Sequence, residues 1–340
     1  MAEYTRQEAR EWAREHMRGV CGCMMPTFNS SLTAINERAI RHDIRLEKEY
    51  GFWGTLLVSE CGTTNAEMRQ VVDIAIDEAK KIGLRTVMQA SFPTLRDTIE
   101  MVQYAESAGA DLVLLSYPMT FFPRSEQEVY DFTRLVAEST NLGIMLFAIH
   151  YWGFDRFHPS SFSPALIGRL IDDVPNIVAV KAEIGAPGVA GIAEIFHRYR
   201  DRVIVCDPFE RNAPAWIITF GMQFMGTSNY EYMGGEVVKY FNLLQEGRYD
   251  EGMQLYWRLH PARQAWAQIQ ASISGAGLVH RMVWKYQYWL NGFNGGPIRQ
   301  PHMRLSESQM RLLRQGLLRS GITPAPGEDA DFYVGRNPME

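Results

Sequence analysis

Lys181 is the residue whose type and position point most directly to chemistry. It closes a short apolar run at 177–180 and is followed by Ala182 and Glu183. A run of β-branched residues predicts a buried strand of a parallel sheet. A lysine at the end of that strand is costly unless its ammonium is paired or its amine is neutral, and a neutral amine is a nucleophile towards ketones. The sequence therefore predicts imine formation at Lys181, with a snorkelling lysine paired to Glu183 as the alternative.

The remaining lysines have a more ordinary setting. The chain contains six lysines, and five lie in stretches typical of helices, where we expect a solvated ammonium: Lys48, Lys80, Lys81, Lys239 and Lys285. Lys181 is therefore the candidate nucleophile.

The cysteines and histidines do not form a recognisable metal site. Four cysteines match neither a zinc nor a thioredoxin spacing: Cys21, Cys23, Cys61 and Cys206. We expect them to be reduced core residues of a cytosolic protein. His150 and His158 fall in one loop region without further ligands. No metal and no cofactor are predicted.

Short apolar runs alternate with amphipathic stretches from about residue 19 to 230. The predicted strands are 20–25, 55–58, 86–90, 112–115, 144–149, 177–181, 203–206 and 224–226. The predicted helices between them are 34–50, 66–82, 95–108, 125–139, 162–173, 187–200 and 210–220. This alternation indicates parallel βα units, and eight units predict an α/β fold, a (β/α)8 TIM barrel. A doubly wound open sheet is the alternative, but no G-x-G-x-x-G follows the first strand.

The strand pattern stops after residue 230. Helices are predicted at 232–245, 248–271, 276–290 and 306–319. We therefore predict four segments: an N-terminal helix (1–18), the barrel (19–231), a C-terminal helical extension packed on the barrel (232–320), and a Pro/Gly-rich arm or flexible tail (321–340).

Composition excludes several classes of protein. The chain has 340 residues, 46% of them hydrophobic and 21% charged, with a net charge of −5. This balance is typical of a globular protein, and no basic stripe with interleaved aromatics suggests nucleic-acid binding. No stretch approaches 18 apolar residues, and the charged start lacks the apolar core of a signal peptide. We expect a cytoplasmic protein with a small-molecule partner, and neither a nucleic-acid nor a membrane partner.

Four segments, in order, resemble the dihydrodipicolinate synthase/N-acetylneuraminate lyase family. They are GCMMPTF at 22–28, AGAD at 108–111, IVAVKAEIG at 177–185 and GPIRQP at 296–301. The likeness covers roughly residues 19–320. It implies a class I lyase or aldolase that acts on a 2-oxo acid, with Lys181 as the imine-forming residue, and we expect a homo-oligomer, a tetramer or a dimer.

The chain departs from the family pattern in three places. The family's G-T-T-G-E loop after the second strand is altered here, and the segment at 58–65 aligns with it either through Gly62-Thr63-Thr64 or through Ser59-Glu60-Cys61. The fifth strand of the family usually ends in Y-N-V-P, whereas here Phe147 stands in place of that tyrosine. Phenylalanine cannot transfer a proton. The segment from Tyr117 to Phe122, with Glu60 and Cys61, looks closer to the branch of hydratase-aldolases that cleave benzylidenepyruvates.

Class I aldol cleavage also needs donors for the substrate carboxylate. Ser59, Thr63 and Thr64 occupy a strand-to-helix turn, where hydroxyls and helix N-terminal amides bind anions. Glu183 and Phe147 are expected near the bound substrate. The alternative for the three hydroxyl residues is N-capping of the helix at 66–82, and one residue can do both.

A further requirement is an acid/base that replaces the missing tyrosine hydroxyl. Tyr117, His150 and Tyr151 lie at strand ends, on the face where barrel sites form. Histidine has a suitable unperturbed pKa. The alternatives are a packing aromatic for Tyr117 and a non-catalytic loop histidine for His150.

The loop at 150–157 is strongly aromatic and includes Trp152. Together with Phe121, Phe122 and Tyr230 it predicts an apolar pocket for an aromatic or otherwise bulky 2-oxo acid. The alternative is a subunit interface, where aromatics are equally common.

The predicted function is retro-aldol cleavage, with or without prior hydration, of a bulky 2-oxo acid to pyruvate and an aldehyde. A dehydratase or condensing synthase that uses the same imine is the second interpretation. A non-catalytic ligand-binding or scaffold barrel is the third, and it is motivated by Phe147.

Overall fold

The computed structural model of the protein describes residues 3–184, 187–273, 281–300, 302 and 304–340. Within these residues, eight strands form one sheet: β1 (Gly19–Met24), β2 (Gly54–Leu57), β3 (Arg85–Ala90), β4 (Leu112–Leu115), β5 (Gly143–Ile149), β6 (Ile177–Glu183), β7 (Ile204–Cys206) and β8 (Phe224–Gly226). Their order is β7-β6-β5-β4-β3-β2-β1-β8, so β1 pairs with both β2 and β8. This is the order of a (β/α)8 barrel, and the predicted fold class is confirmed. The doubly wound alternative is wrong, because its strand order reverses within the sheet.

Helices alternate with the strands and continue beyond them. Helix α1 (Ala9–His16) precedes β1. The helices that follow β1 to β7 in turn are α2 (Glu37–Glu49), α3 (Asn65–Ile82), α4 (Leu95–Ala108), α5 (Glu126–Glu138), α6 (Pro164–Asp173), α7 (Val189–Tyr199) and α8 (Ala213–Phe220). In the described part of the chain, no helix is both long enough and apolar enough to span a bilayer.

The C-terminal helices follow β8. They are α9 (Glu236–Gln245), α10 (Tyr249–Arg258), α11 (His260–Ile273), α12 (Arg281–Leu290) and α13 (Glu307–Arg319). The single helix predicted at 248–271 is wrong: it is two helices, and Pro261 lies in the first turn of the second, where its missing N–H needs no acceptor. Residues 276–280 of the helix predicted at 276–290 lie outside the described residues.

The chain forms two compact units. The first comprises Met1–Cys21 and Arg85–Thr227, and the second comprises Gly22–Leu84 and Ser228–Glu340.

In the first unit, buried hydrogen bonds fix the start of β6. Arg10 of α1 donates from Nε to the carbonyl of Ile177 at 2.9 Å. The buried Asn176 donates from Nδ2 to the carbonyls of Ala137 and Leu142, each at 2.9 Å. Because Ile177 opens β6, these bonds position the whole strand.

The register of the strands around β6 decides which side chains meet. Phe147 of β5 lies beside Lys181, and Ile149 lies beside Glu183. On the other side of β6, Cys206 of β7 lies beside Lys181. Aligned residues of neighbouring strands project to the same face of a sheet. Phe147, Lys181 and Cys206 therefore share one face.

Local sequence signals set the ends of the helices. Five barrel helices have an N-cap residue whose side-chain oxygen accepts a hydrogen bond from a backbone N–H of the first turn. These residues are Asn36 for α2, Thr64 for α3, Thr94 for α4, Ser125 for α5 and Ser163 for α6. Each such cap contributes about 1 kcal/mol. Helices α3 and α4 end at Gly83 and Gly109, whose φ angles of 67° and 93° favour glycine.

In the second unit, residues 321–340 form an arm that packs on α12. The ring of Phe332 is fully buried and lies 5.3 Å from the ring of Tyr286 and 6.3 Å from that of Trp289. The backbone N–H of Ala325 donates to the carbonyl of Leu290 at 2.7 Å. Core residues of α13 complete this cluster.

We expect Phe332→Ala to lower the free energy of unfolding by about 3–5 kcal/mol, because it removes a buried ring and leaves a cavity. Val334→Ala is the matched control, since Val334 lies two residues away and is 57% exposed. It should change the free energy by less than about 0.5 kcal/mol. Urea titration of both variants measures the difference, and equal midpoints would contradict a docked arm.

Candidate active site

Lys181 is buried at the end of β6, with 4% of the residue exposed. Its Nζ donates to the carbonyl of Thr227 at 2.7 Å. The Nζ lies 3.9 Å from the centre of the Phe147 ring and 3.6 Å from Oε2 of Glu183. The ammonium is thus stabilised by a carbonyl, a ring face and a carboxylate. The pairing with Glu183 that the sequence offered as an alternative is present, and it does not exclude imine formation.

Phe147 and Trp152 form an apolar wall beside the lysine. The Phe147 and Trp152 rings are 5.7 Å apart and nearly perpendicular, at 86°. The indole Nε1 of Trp152 donates to the carbonyl of Phe147 at 2.9 Å, which fixes the indole over the end of β5. The structure therefore brings together four predicted site residues: Phe147, Trp152, Lys181 and Glu183.

Asp207 is a second carboxyl group near this cluster, and sequence reasoning missed it. It follows Cys206, which lies beside Lys181 in the sheet. Its oxygens accept hydrogen bonds from the Phe209 N–H at 2.8 Å and the Trp216 indole at 2.7 Å. Burial, opposed by these bonds, raises the pKa of Asp207 to about 6. Because its lone pairs are engaged, its geometry is that of a structural carboxylate.

Tyr117 lies away from solvent in an aromatic cluster. Its hydroxyl bonds to Oγ1 of Thr133 at 2.5 Å, and that hydroxyl in turn donates to the Val129 carbonyl at 2.7 Å. Burial raises the pKa of Tyr117 far above its usual range. The rings within about 6 Å of Tyr117 are Phe121, Phe132, Trp152, Phe154 and Phe162. This geometry favours the packing alternative over an acid/base role.

His150 and Tyr151 lie together in a short 3-10 turn after β5. Their rings are 4.3 Å apart at 66°. His150 is exposed, whereas Tyr151 is half-buried. An exposed imidazole keeps its access to water, and the acid/base role of these two residues stays a prediction.

The other predicted pocket aromatics have varied surroundings. Phe121 packs against the ring of Phe132, with the centroids 4.9 Å apart. Phe122 is exposed, and the guanidinium of Arg156 lies 3.8 Å from its ring centre. Tyr230 is buried in the second unit. Of the predicted aromatics, Phe147 and Trp152 are thus the ones placed beside the lysine.

In the second unit, the predicted hydroxyl residues form the turn before α3. Thr64 is the N-cap of α3, and it forms a reciprocal capping box with Glu67. Oγ1 of Thr63 donates to the carbonyl of Ser59 at 3.3 Å. The N-capping alternative therefore holds for Thr64, while Ser59 and Thr63 line the turn.

Arg299 holds this turn in place, a contact that the sequence did not reveal. Its guanidinium binds both carboxylate oxygens of Glu67 at 2.7 Å, and this ion pair lowers the pKa of Glu67 to about 2. Gly62 adopts a φ of 74°, and a Cβ there would lie 2.7 Å from the Cβ of Arg299. The turn thus requires glycine at this close approach.

Lys285 is a second buried lysine, which corrects the expectation of a solvated ammonium. It lies on α12 as predicted, but only 2% of it is exposed. Its Nζ donates to the Thr27 hydroxyl at 2.6 Å and to the Pro26 carbonyl at 3.0 Å. Desolvation, partly offset by the charge of Asp43, lowers the pKa of Lys285 to about 8. The reason for the error is that α12 is buried on nearly every side.

Further ionisable groups flank the turn in the second unit. Arg281 pairs with Glu60 at 2.7 Å, and Nε2 of His302 lies 3.0 Å from the Glu60 carbonyl. Burial raises the pKa of the Cys61 thiol to about 11 and lowers that of His302 to about 4. Within the described residues, no three His, Cys, Asp or Glu side chains are grouped to hold a metal ion.

Several known proteins are similar to this chain in sequence or in fold. The profile of the dihydrodipicolinate synthetase family matches residues 16–317. The 4-hydroxy-tetrahydrodipicolinate synthase of Methanopyrus kandleri is 23% identical, over 91% of this chain and 98% of that protein. The L-threo-3-deoxy-hexylosonate aldolase of Aspergillus niger is 26% identical, over 86% and 91%. The N-acetylneuraminate lyase of Fusobacterium nucleatum in complex with pyruvate has a TM-score of 0.71 at 19% identity, over 88% and 96%.

Lys285→Met should remove a pH dependence of stability. The unfolded chain holds this proton up to a pKa near 10.5, whereas the folded protein releases it near 8. Between these values the unfolded state binds more protons, so the free energy of unfolding of the wild type rises with pH relative to the variant. At about 1.4 kcal/mol per pH unit the gain is about 3 kcal/mol.

Urea titration from pH 7 to 10.5 measures this gain. Lys239→Met is the control, because Lys239 is exposed on α9 and its removal should leave the slope unchanged. If the wild type and Lys285→Met follow parallel curves, Lys285 does not titrate in this range.

Proposed function

The chain belongs to the dihydrodipicolinate synthetase family, and on this basis we propose that it is a Schiff-base-forming lyase for a bulky or aromatic 2-oxo acid. Its products are pyruvate and an aldehyde. The family and its relatives establish a class I aldolase-type enzyme. The observation that supports Schiff-base formation is the buried Lys181 amine, which lies between a carboxylate and a ring face.

The proposed chemistry uses the imine as an electron sink. The Lys181 amine attacks the 2-oxo carbon, and loss of water gives an iminium ion. Deprotonation of the substrate hydroxyl then breaks the adjacent C–C bond, whose electrons move into the iminium to give an enamine and free the aldehyde. The enamine takes up a proton at carbon, and water hydrolyses the resulting iminium to pyruvate and the free amine.

The turn before α3, in the second unit, is proposed as a carboxylate-binding site. Ser59 and Thr63 line this turn, and the N-terminus of α3 carries a partial positive charge. Thr64 contributes by capping the helix, since its side chain is engaged with Glu67. The Arg299–Glu67 pair keeps the turn rigid.

The proposed size and polarity of the substrate follow from Phe147 and Trp152. A hydroxylated substrate requires hydrogen-bond partners, and these two rings offer none on their faces. An aromatic ring buried against them would gain about 2–3 kcal/mol, at about 25 cal/mol per Å². Whether hydration precedes cleavage depends on the substrate.

A dehydratase or condensing synthase that uses the same imine is the second candidate, because the relatives include a synthase.

The proposal also includes the oligomeric state of the protein. We expect a homo-oligomer, a dimer or a tetramer, in which the exposed Phe122 contributes to a subunit contact. The non-catalytic barrel considered from the sequence is opposed by the family match, and it predicts no covalent adduct.

Borohydride reduction in the presence of pyruvate should add one pyruvyl group per chain, at Lys181. Intact mass gives the stoichiometry, and peptide mapping identifies the lysine. Lys181→Ala should lose the adduct and turnover while it remains folded, because the Glu183 carboxylate that loses its partner is partly exposed to water.

Lys285→Met is the discriminating control in this experiment, since Lys285 is also buried and its pKa is lowered. This variant should keep the adduct. An adduct at Lys285 alone, or none with a panel of 2-oxo acids, would overturn the assignment of Lys181.

Benzylidenepyruvate-like compounds should exceed polyhydroxylated 2-oxo acids in kcat/KM by roughly 30–150-fold, the factor that corresponds to about 2–3 kcal/mol. Trp152→Ala should narrow this ratio, because the indole forms part of the apolar wall. Trp257→Ala is the control, since Trp257 is exposed on α10. A ratio of one or below in the wild type rejects the aromatic substrate.

A further inference from the structure

Imine formation requires a group that takes and returns protons at Lys181 Nζ. Phe147 occupies the position beside Lys181 and has no exchangeable proton. The group must lie within reach of Nζ, and one described carboxylate does so: Oε2 of Glu183 is 3.6 Å away. Catalytic hydrogen bonds are often this long before substrate binds.

The position of Glu183 in β6 suits the role. Residues two apart in a strand point to the same face, so Lys181 and Glu183 project together. Glu183 lies nearer the end of the strand, and its side chain is 19% exposed, against 5% for that of Lys181. The carboxylate is therefore the more accessible to water of the two groups.

Two other titratable groups of the first unit are engaged in hydrogen bonds away from Lys181. The Tyr117 hydroxyl bonds to Thr133. The Asp207 carboxylate accepts bonds from the backbone after β7 and from the Trp216 indole. His150 is exposed in the turn after β5. The charged or titratable groups that act on Glu183 include Lys181 on its own strand and, from β7 and the residue after it, Cys206 and Asp207.

We propose that Glu183 is the acid–base catalyst of imine formation and replaces the hydroxyl that the chain lacks at Phe147. This inference rests on the proposed function and assigns a residue to it.

Lys181 and Glu183 together account for every proton transfer in imine formation. The Lys181 ammonium gives a proton to the Glu183 carboxylate, and the free amine forms a C–N bond to the 2-oxo carbon. A proton moves from nitrogen to oxygen and gives the carbinolamine. The Glu183 carboxylic acid then protonates the hydroxyl, the C–O bond breaks, water leaves, and the nitrogen lone pair forms the iminium. Glu183 ends as a carboxylate, ready for the reverse step on hydrolysis.

The carboxylate also explains how a paired ammonium becomes a nucleophile. An opposite charge stabilises the ammonium form. The same carboxylate is the nearest base. Transfer of the ammonium proton to Glu183 therefore gives the neutral, nucleophilic amine. A purely structural partner would hold the charge without accepting the proton.

The test compares Glu183→Gln with Glu183→Asp in single-turnover trapping of the pyruvate imine by borohydride, from pH 5 to 9. We expect Glu183→Gln to form the imine about 10²–10⁴-fold more slowly and to lose one ionisation from the pH profile of the rate. Glu183→Asp should retain that ionisation with an intermediate rate. Phe147→Tyr in the Glu183→Gln background should recover part of the rate, because it supplies a hydroxyl beside Lys181.

The control is Glu194→Gln, which neutralises a partly exposed carboxylate paired with Arg198 on α7 and should leave the profile unchanged. Thermal unfolding of every variant separates lost folding from lost catalysis. If the wild type forms the Lys181 adduct and Glu183→Gln forms it at an equal rate with an unchanged profile, the role of Glu183 is wrong while the lyase proposal stands. If the wild type forms no adduct with any 2-oxo acid, the proposed function itself fails.

Discussion

The stabilisation of one buried ammonium is the constraint on which the site depends. An unpaired charge in the interior costs several kcal/mol even after relaxation. Lys181 avoids this cost through the Thr227 carbonyl, the Phe147 ring and the Glu183 carboxylate. These partners come from the end of β5, from β6 itself and from the residue after β8. The amine is therefore correctly surrounded only when these strands are in their observed register.

Close packing at the other end of the strands enforces that register. Gly143 opens β5, and a Cβ there would lie 2.8 Å from a Leu112 methyl and 2.9 Å from a Val178 methyl. Asn176 and Arg10 hold the start of β6 by hydrogen bonds to backbone carbonyls. A slip of one residue would turn every side chain of a strand to the opposite face and would separate the ring from the amine. The residues that fix the chemistry thus include several that never approach a substrate.

The fold and the buried position of Lys181 in β6 could be predicted from the sequence, because both depend on local patterns. Apolar runs of three to seven residues between amphipathic helices mark the strands. Lys285 was expected to be solvated. This expectation was wrong because its burial depends on Pro26 and Thr27, which are more than 250 residues away in the sequence. The direction of the Tyr117 hydroxyl likewise depends on Thr133 of α5. Periodicity reports which face of an element is apolar, and it does not report which polar atoms a distant segment brings to it.

The two buried lysines show why a lowered pKa alone does not identify a nucleophile. The pKa of Lys285 is lowered to about 8 because desolvation outweighs the charge of Asp43, and structural networks perturb pKa values as active sites do. Its ammonium connects α12 to the segment after β1 through two hydrogen bonds. The ammonium of Lys285 therefore has a structural role. Lys181 instead has a carboxylate on its own strand that can accept a proton and a ring face that cannot. Directed proton transfer is the property that distinguishes a catalytic amine, and in this chain the spacing Lys181–Ala182–Glu183 supplies it within one strand.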